Sequence, residues 1–183
     1  FCLSRGLGDV YKRQDVKFVL GNVFLVVMAI FLDQFIKLVV VATMPLGSAI
    51  PILPFFALLH ARNEGIAFSM FSSLSGWTLA AASSVVLLFV LWLWWNTPRN
   101  RMLTHVAFAM IFGGAVGNLI DRVTLGYVTD YLYFHTPVWS FAVFNLADTF
   151  ITVGAALIIL DEFVLQPRNA RRKRAIAGDG EQE

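Results

Sequence analysis

The sequence predicts an all-α membrane protein, a four-transmembrane-helix bundle with a small extracytoplasmic β element and a surface-lying segment. Three observations predict it. Hydrophobic residues make up 58% of the 183-residue chain and charged residues only 14%, outside the range of soluble domains. The apolar residues gather into four runs long enough, at roughly 20 residues each, to cross a hydrocarbon core of about 30 Å. The positive charges stand at the ends of those runs, so their placement says more than the formal net charge of +2.

In chain order, residues 1–14 have no apolar core and do not read as a signal peptide; a non-native or disordered leader is expected. The spans follow at about 18–42, 76–95, 103–120 and 144–165, within a membrane unit of 15–167. Unsatisfied backbone groups in lipid cost several kcal/mol each, so helices are the default for isolated apolar runs. Lys12, Arg13 and Lys17 precede the first span, Arg99 and Arg101 join the second to the third, and Arg168, Arg171, Arg172, Lys173 and Arg174 follow the fourth. Positive flanks stay inside, so both termini are expected to be cytoplasmic, with 168–183 a polar tail. The connections 43–75 and 121–143 then lie outside. The first is long and apolar, with Pro45, Pro51 and Pro54 among Ile50, Ile52, Leu53, Phe55 and Phe56, and is expected to rest on the membrane surface. Asn63-Glu64-Gly65 supplies turn chemistry for a small β-hairpin ending near Phe68.

Several function classes drop out at once. The one cysteine, Cys2, lies in the leader, which removes disulfides within the chain, Cys-rich metal sites and a cysteine nucleophile inside the fold. The basic clusters flank spans and accompany no recognition motif, so no nucleic-acid partner is expected. There is no Gly-x-Ser-x-Gly elbow and no His-Glu-x-x-His, and His60, His105 and His135 are scattered. No metal or other cofactor is expected. Lys37 has no serine marked out at a matching depth for a Ser/Lys dyad.

Polar groups in or beside a span are costly and need a reason. Here they are Asp33, Lys37, Asn118, Asp121, Arg122, Asp130, Asn145 and Asp148, and most fall at one depth near the outer interface. Asp148 lies about 8 Å inside if the fourth span starts near Val143, and Asp130 sits in the connection above it. Two carboxylates converging where water is scarce share a proton, because like charges a few ångströms apart resist ionising together. One can then activate a water while the other protonates a carbonyl. Spacing alone leaves solvated interfacial carboxylates and a proton relay equally open.

Gly113-Gly114-Ala115-Val116-Gly117-Asn118-Leu119-Ile120-Asp121-Arg122, Gly126-Tyr127-Val128-Thr129-Asp130-Tyr131 and Phe144-Asn145-Leu146-Ala147-Asp148 resemble the signature blocks of the lipoprotein signal peptidases, or signal peptidases II. Asp33-Gln34-Phe35-Ile36-Lys37 and Asn63-Glu64-Gly65-Ile66-Ala67-Phe68 resemble the two earlier blocks, and all five stand in the family's order. The resemblance implies an intramembrane-type aspartic endopeptidase of the bacterial cytoplasmic (inner) membrane, working at its outer face. It implies that Asp130 and Asp148 are the catalytic dyad. The implied substrates are diacylglyceryl-modified prolipoproteins, cut before the lipidated cysteine. Asn63, Asn118, Arg122 and Asn145 would line or brace the site, with Asp121 orienting Arg122 and with Asp33 and Lys37 nearby. Tyr131 stands where Phe is usual. A monomer in the lipid bilayer is expected.

Each residue has a plainer reading beside that one. Asp33 and Lys37, i and i+4, make a stabilising ion pair; Arg122 snorkels to headgroups; Asn118 is an interhelical hydrogen bond. Asn63 is a turn residue and Asn145 a helix cap. Gly113, Gly114 and Gly117 are close-packing positions. The five tryptophans, Trp94 among them, mark interfacial belts, and Asp161 and Glu162 are solvated. The alternative function is a small proton-coupled transporter or relay using the intramembrane carboxylates, but a relay needs ionisable groups at several depths.

Overall fold

The computed structural model describes residues 2–65 and 76–168, with side chains given for 16–65 and 78–168. Four helices and three strands run in the order α1 (Cys2–Thr43), β1 (Ala49–Leu53), β2 (Phe56–Asn63), α2 (Gly76–Trp95), α3 (Met102–Thr124), β3 (Val128–Phe134) and α4 (Leu146–Leu160). A π-helical turn, Asp161–Leu165, continues α4. Helical backbone extends to Cys2 through the stretch given no structure by the sequence; once a helix is nucleated, adding residues costs little. The tail from 169 on lies outside the described residues.

Among the described residues three helical stretches are long and apolar enough to cross a membrane: Val16–Thr43, Thr78–Trp95 and Met102–Thr124. The fourth expected span is divided. Its 15 α-helical residues give way to the π turn at Asp161, where Thr104 Oγ1 donates to Asp161 at 2.6 Å and Gln166 reaches back to it. Asp161 is therefore buried against α3 instead of solvated, because a hydroxyl on the facing helix meets its charge. Glu162 pairs with Arg101.

Of α3's most apolar stretch 50% is buried, against 22% for α1 and 17% for α2, so α3 is the central helix. Glycine makes that possible. A Cβ on Gly113 would lie 2.6 Å from Ala29 on α1, and one on Gly114 would strike the Ala147 carbonyl on α4. Small residues let backbones approach where dispersion, not water exclusion, drives helix association. The outward faces of α1 and α2 carry Phe24, Phe31, Leu38, Leu88 and Trp92, all exposed. Trp94 also ties α2 to α3: its indole donates to His105 Nδ1 at 2.8 Å and stacks on Phe108.

At one end of the bundle the strands form an antiparallel sheet in the order β1-β2-β3. Among the described residues the hairpin turns at Pro54 and Phe55, joining β1 to β2, and Asn63-Glu64-Gly65 follows the end of β2. The expected second strand toward Phe68 lies outside the described residues. Its place beside β2 is taken by β3, a strand that the sequence reading left as connection. Leu53 and Phe55 at this turn and Ile50 and Ile52 on β1 are exposed.

Candidate active site

Five elements each deliver polar side chains to one place. On α1, Asp33 and Lys37 share a helical face and form an ion pair at 2.8 Å with almost no exposure. Lys37 Nζ also reaches Asp121 Oδ2 at 3.0 Å and Asn118 Oδ1 at 2.9 Å on α3. One ammonium with three donors is thus saturated by three acceptors. Gln34, passed over in the sequence reading, donates to Asp121 Oδ1 at 2.9 Å and to the Gly117 carbonyl at 3.1 Å. A polar side chain inside an apolar run was the signal that could have found it. Asp121 also accepts the Thr129 backbone N–H at 3.1 Å, which moors β3 to α3.

Asp121 therefore pairs with Lys37 and does not orient Arg122. Arg122, one residue on, points its guanidinium back to the Asn118 carbonyl at 3.4 Å and stays half-buried at the rim. The other sequence-predicted residues converge.

Three asparagines arrange the two remaining carboxylates. Asn145 is the N-cap of α4 in a reciprocal capping box with Asp148: its Oδ1 accepts the Asp148 N–H at 3.0 Å, and Asp148 Oδ2 accepts the Asn145 N–H at 3.3 Å. That fixes the amide's orientation, so its Nδ2 donates to Asp130 Oδ1 at 2.7 Å and to Asn118 Oδ1 at 3.1 Å. Asn118, oriented by Lys37, donates to Asp148 Oδ1 at 2.8 Å. Asn63 accepts the Gly65 N–H at 2.9 Å and so donates Nδ2 to Asp130 Oδ2 at 3.0 Å. The Asn63-Glu64-Gly65 turn works here, with Gly65 at φ 85°; a Cβ is disfavoured there.

All four oxygens of Asp130 and Asp148 thus accept a hydrogen bond. Asp130, on β3, is only 2% exposed, while Asp148 is half-buried and open to a reactant. Burial pushes the Asp130 carboxyl up to about 6, with the Asp148 charge adding to the rise and the two asparagine amides opposing it. A carboxyl whose hold on its proton is raised by burial, linked through the bonded amides of Asn145 and Asn118 to a second carboxylate, is an acid beside a base.

Fold and site together define a membrane enzyme of the aspartic hydrolase class. The signal peptidase (SPase) II family profile matches residues 25–164. The lipoprotein signal peptidase of Sinorhizobium fredii (strain NBRC 101917 / NGR234) is 51% identical over 146 residues, 80% of this chain and 87% of that protein. That of Brucella ovis (strain ATCC 25840 / 63/290 / NCTC 10512) is 53% identical over 144 residues, 79% of this chain and 90% of its own. A solved bacterial membrane enzyme, determined by the in meso method at 1.9 Å, superimposes with a TM-score of 0.69 at 28% identity, covering 76% of this chain and 90% of that one. The chain belongs to the signal peptidase II family.

Proposed function

We propose that Asp130 and Asp148 are the dyad with which this aspartic endopeptidase removes signal peptides from diacylglyceryl-modified prolipoproteins, cutting before the lipidated cysteine. The Asn145 amide carries this reading, since it bonds Asp130 and is reciprocally capped by Asp148. Asp148 stands at the third position of α4, beside the helix N-terminus. It takes a proton from a water held between the carboxylates as that water attacks the scissile carbonyl carbon. Asp130 gives its proton to the carbonyl oxygen, forming a gem-diol. As the diol collapses and the C–N bond breaks, Asp130 takes back a hydroxyl proton and the proton gained by Asp148 passes to the departing cysteine nitrogen. Asn63, Asn118 and Asn145 hold the carboxylates, while Asp33, Lys37 and Asp121 brace the helices behind them. Arg122 at the rim is left to line the substrate.

In this reading α4 and its π turn form the fourth span, the termini are cytoplasmic, and the site opens at the outer face of the inner membrane. The β1 segment rests on the lipid surface, where its exposed Ile50, Ile52 and Phe55 favour apolar contact. Acyl chains of the substrate add about 0.8 kcal/mol per buried methylene, so lipid selects the substrate without a deep side-chain pocket. The enzyme acts as a monomer and without metal: Lys37 already lies between Asp33 and Asp121, where a cation would otherwise go. The relay alternative loses ground because, apart from His105 and Asp161 near the other end, the buried ionisable groups cluster at one end.

The test is cleavage of a lipidated prolipoprotein in liposomes by the wild type, Asp130→Asn and Asp148→Asn. Cleavage by the wild type alone, absent on unlipidated precursor, is the expected result. Turnover by either variant overturns the dyad, and inhibition by a chelator that a divalent ion reverses overturns the metal-free reading.

A further inference from the structure

The first four N–H groups of a helix have no acceptor within it, and at the start of α4 each is met by a particular side chain. Asp148 Oδ2 takes that of Asn145, Asp33 Oδ1 that of Ala147 at 3.0 Å, and Asn145 Oδ1 that of Asp148. The fourth, on Leu146, donates to the Tyr131 hydroxyl at 3.1 Å. We propose that Tyr131 is a positioning residue for the peptidase reaction: its hydroxyl, holding the Leu146 N–H, fixes α4 at the distance from β3 that the Asp130–Asp148 pair requires.

Tyr131 follows Asp130 on β3, so its side chain leaves the opposite face of the strand and acts on the reaction only through α4. It is 3% exposed and packs with Val40 of α1 and with Met44 just past the end of that helix, so the ring has no room to swing. The backbone N–H groups of Tyr131 and Leu132 both donate to the Phe144 carbonyl, at 3.0 and 2.8 Å, and the Phe144 N–H returns to Leu132 at 3.0 Å. Strand β3 therefore grips the chain at Phe144 and again at Leu146, on either side of Asn145, whose amide joins the carboxylates. Removing the hydroxyl leaves the backbone grip at Phe144 and frees a half-buried N–H one residue past Asn145. The first turn, which carries Asp148, then loses its one side-chain tie to β3 and can shift slightly outward about the remaining contacts with Asp33 and Asn118.

The inference rests on the dyad reading, and its test separates the two. Tyr131→Phe keeps the ring in its pocket, so the fold is retained. With lipidated substrate in liposomes, kcat is expected to fall about fivefold, the loss of one hydrogen bond, with KM unchanged within twofold. The descending limb of the kcat–pH profile should move to lower pH as the carboxylates separate. Hydrogen exchange in a peptide spanning 144–149 should quicken. A drop in Tm with kcat, pH profile and exchange unaltered makes Tyr131 merely structural and overturns the inference. A rise in KM at unchanged kcat overturns it too, by assigning the residue to substrate binding. If Asp130→Asn remains active in the same assay, the dyad itself fails, a result that Tyr131→Phe cannot produce.

Discussion

Asp130 illustrates how this site trades stability for chemistry at the scale of one residue. Its carboxyl, at about 6 in the folded protein, stands above the ordinary value of 3.8, so the native state binds the proton more tightly than the unfolded chain. The sign follows from linkage: a raised carboxyl favours folding at low pH and loses that contribution as pH climbs from about 4 to about 6. The loss amounts to about 3 kcal/mol at 1.36 kcal/mol per unit. Unfolding followed against pH in detergent should show that decline in the wild type and a flatter profile in Asp130→Asn. Lys37 behaves in the opposite way. Its ammonium compensates two buried carboxylates, so Lys37→Met strands both and should cost about 3–5 kcal/mol, read as a large fall in Tm. The charge of Asp33 and Lys37 and the cap at Asn145 were legible in the sequence, because i,i+4 spacing and N-cap preference are local rules. The Lys37–Asp121 pair was not, since no local rule joins residues on separate helices, and Asp121 was assigned to its neighbour Arg122 instead.

Elements were legible where hydropathy alone defines them and obscure where partners do. The α1, α2 and α3 runs read directly as apolar stretches. Strand β3, with Thr129, Asp130 and Tyr131 in its middle, has no clean alternation, and all three are buried because β2, α1, α3 and α4 surround them. Its strand character comes from that enclosure. The turn residues Asn63-Glu64-Gly65 have a second role that no hairpin rule announces: they orient a side chain toward Asp130. Glycine on α3 offers a test at this scale. Gly114→Ala would press a methyl group on the Ala147 carbonyl, backbone that cannot rotate aside, and should cost about 1–3 kcal/mol with a loss of turnover, because Ala147 adjoins Asp148. Gly21, on α1, has nothing within 4 Å of a built Cβ, so Gly21→Ala should be neutral or stabilise by up to about 1 kcal/mol. Equal effects from the two substitutions, measured by thermal unfolding and turnover, would refute the close-packing account.

Across the whole molecule, depth is set by one hydrogen bond. The Ala147 N–H meets Asp33 Oδ1, so α4 begins level with a residue ten positions before the end of α1 at Thr43, about 15 Å along the helix axis. The apolar stretch of α1 is 28 residues long, about 42 Å, and exceeds a hydrocarbon core of about 30 Å by roughly 12 Å. On the proposed topology, with Lys17 at the inner boundary, the excess would project outward beneath the sheet and the carboxylates would fall just inside the outer surface. There a lipid-anchored chain can reach them while little water competes. This arrangement requires the sheet outside and the α2–α3 connection inside. In a Cys2→Ser background, a membrane-impermeant maleimide should label Glu64→Cys in intact cells and leave Asn100→Cys unlabelled until the membrane is opened. Both positions are exposed, so burial does not limit the reaction. The reverse pattern would place the carboxylates at the cytoplasmic surface, where positive flanks and substrate delivery would both be wrong, and would overturn the topology along with the proposed direction of substrate approach.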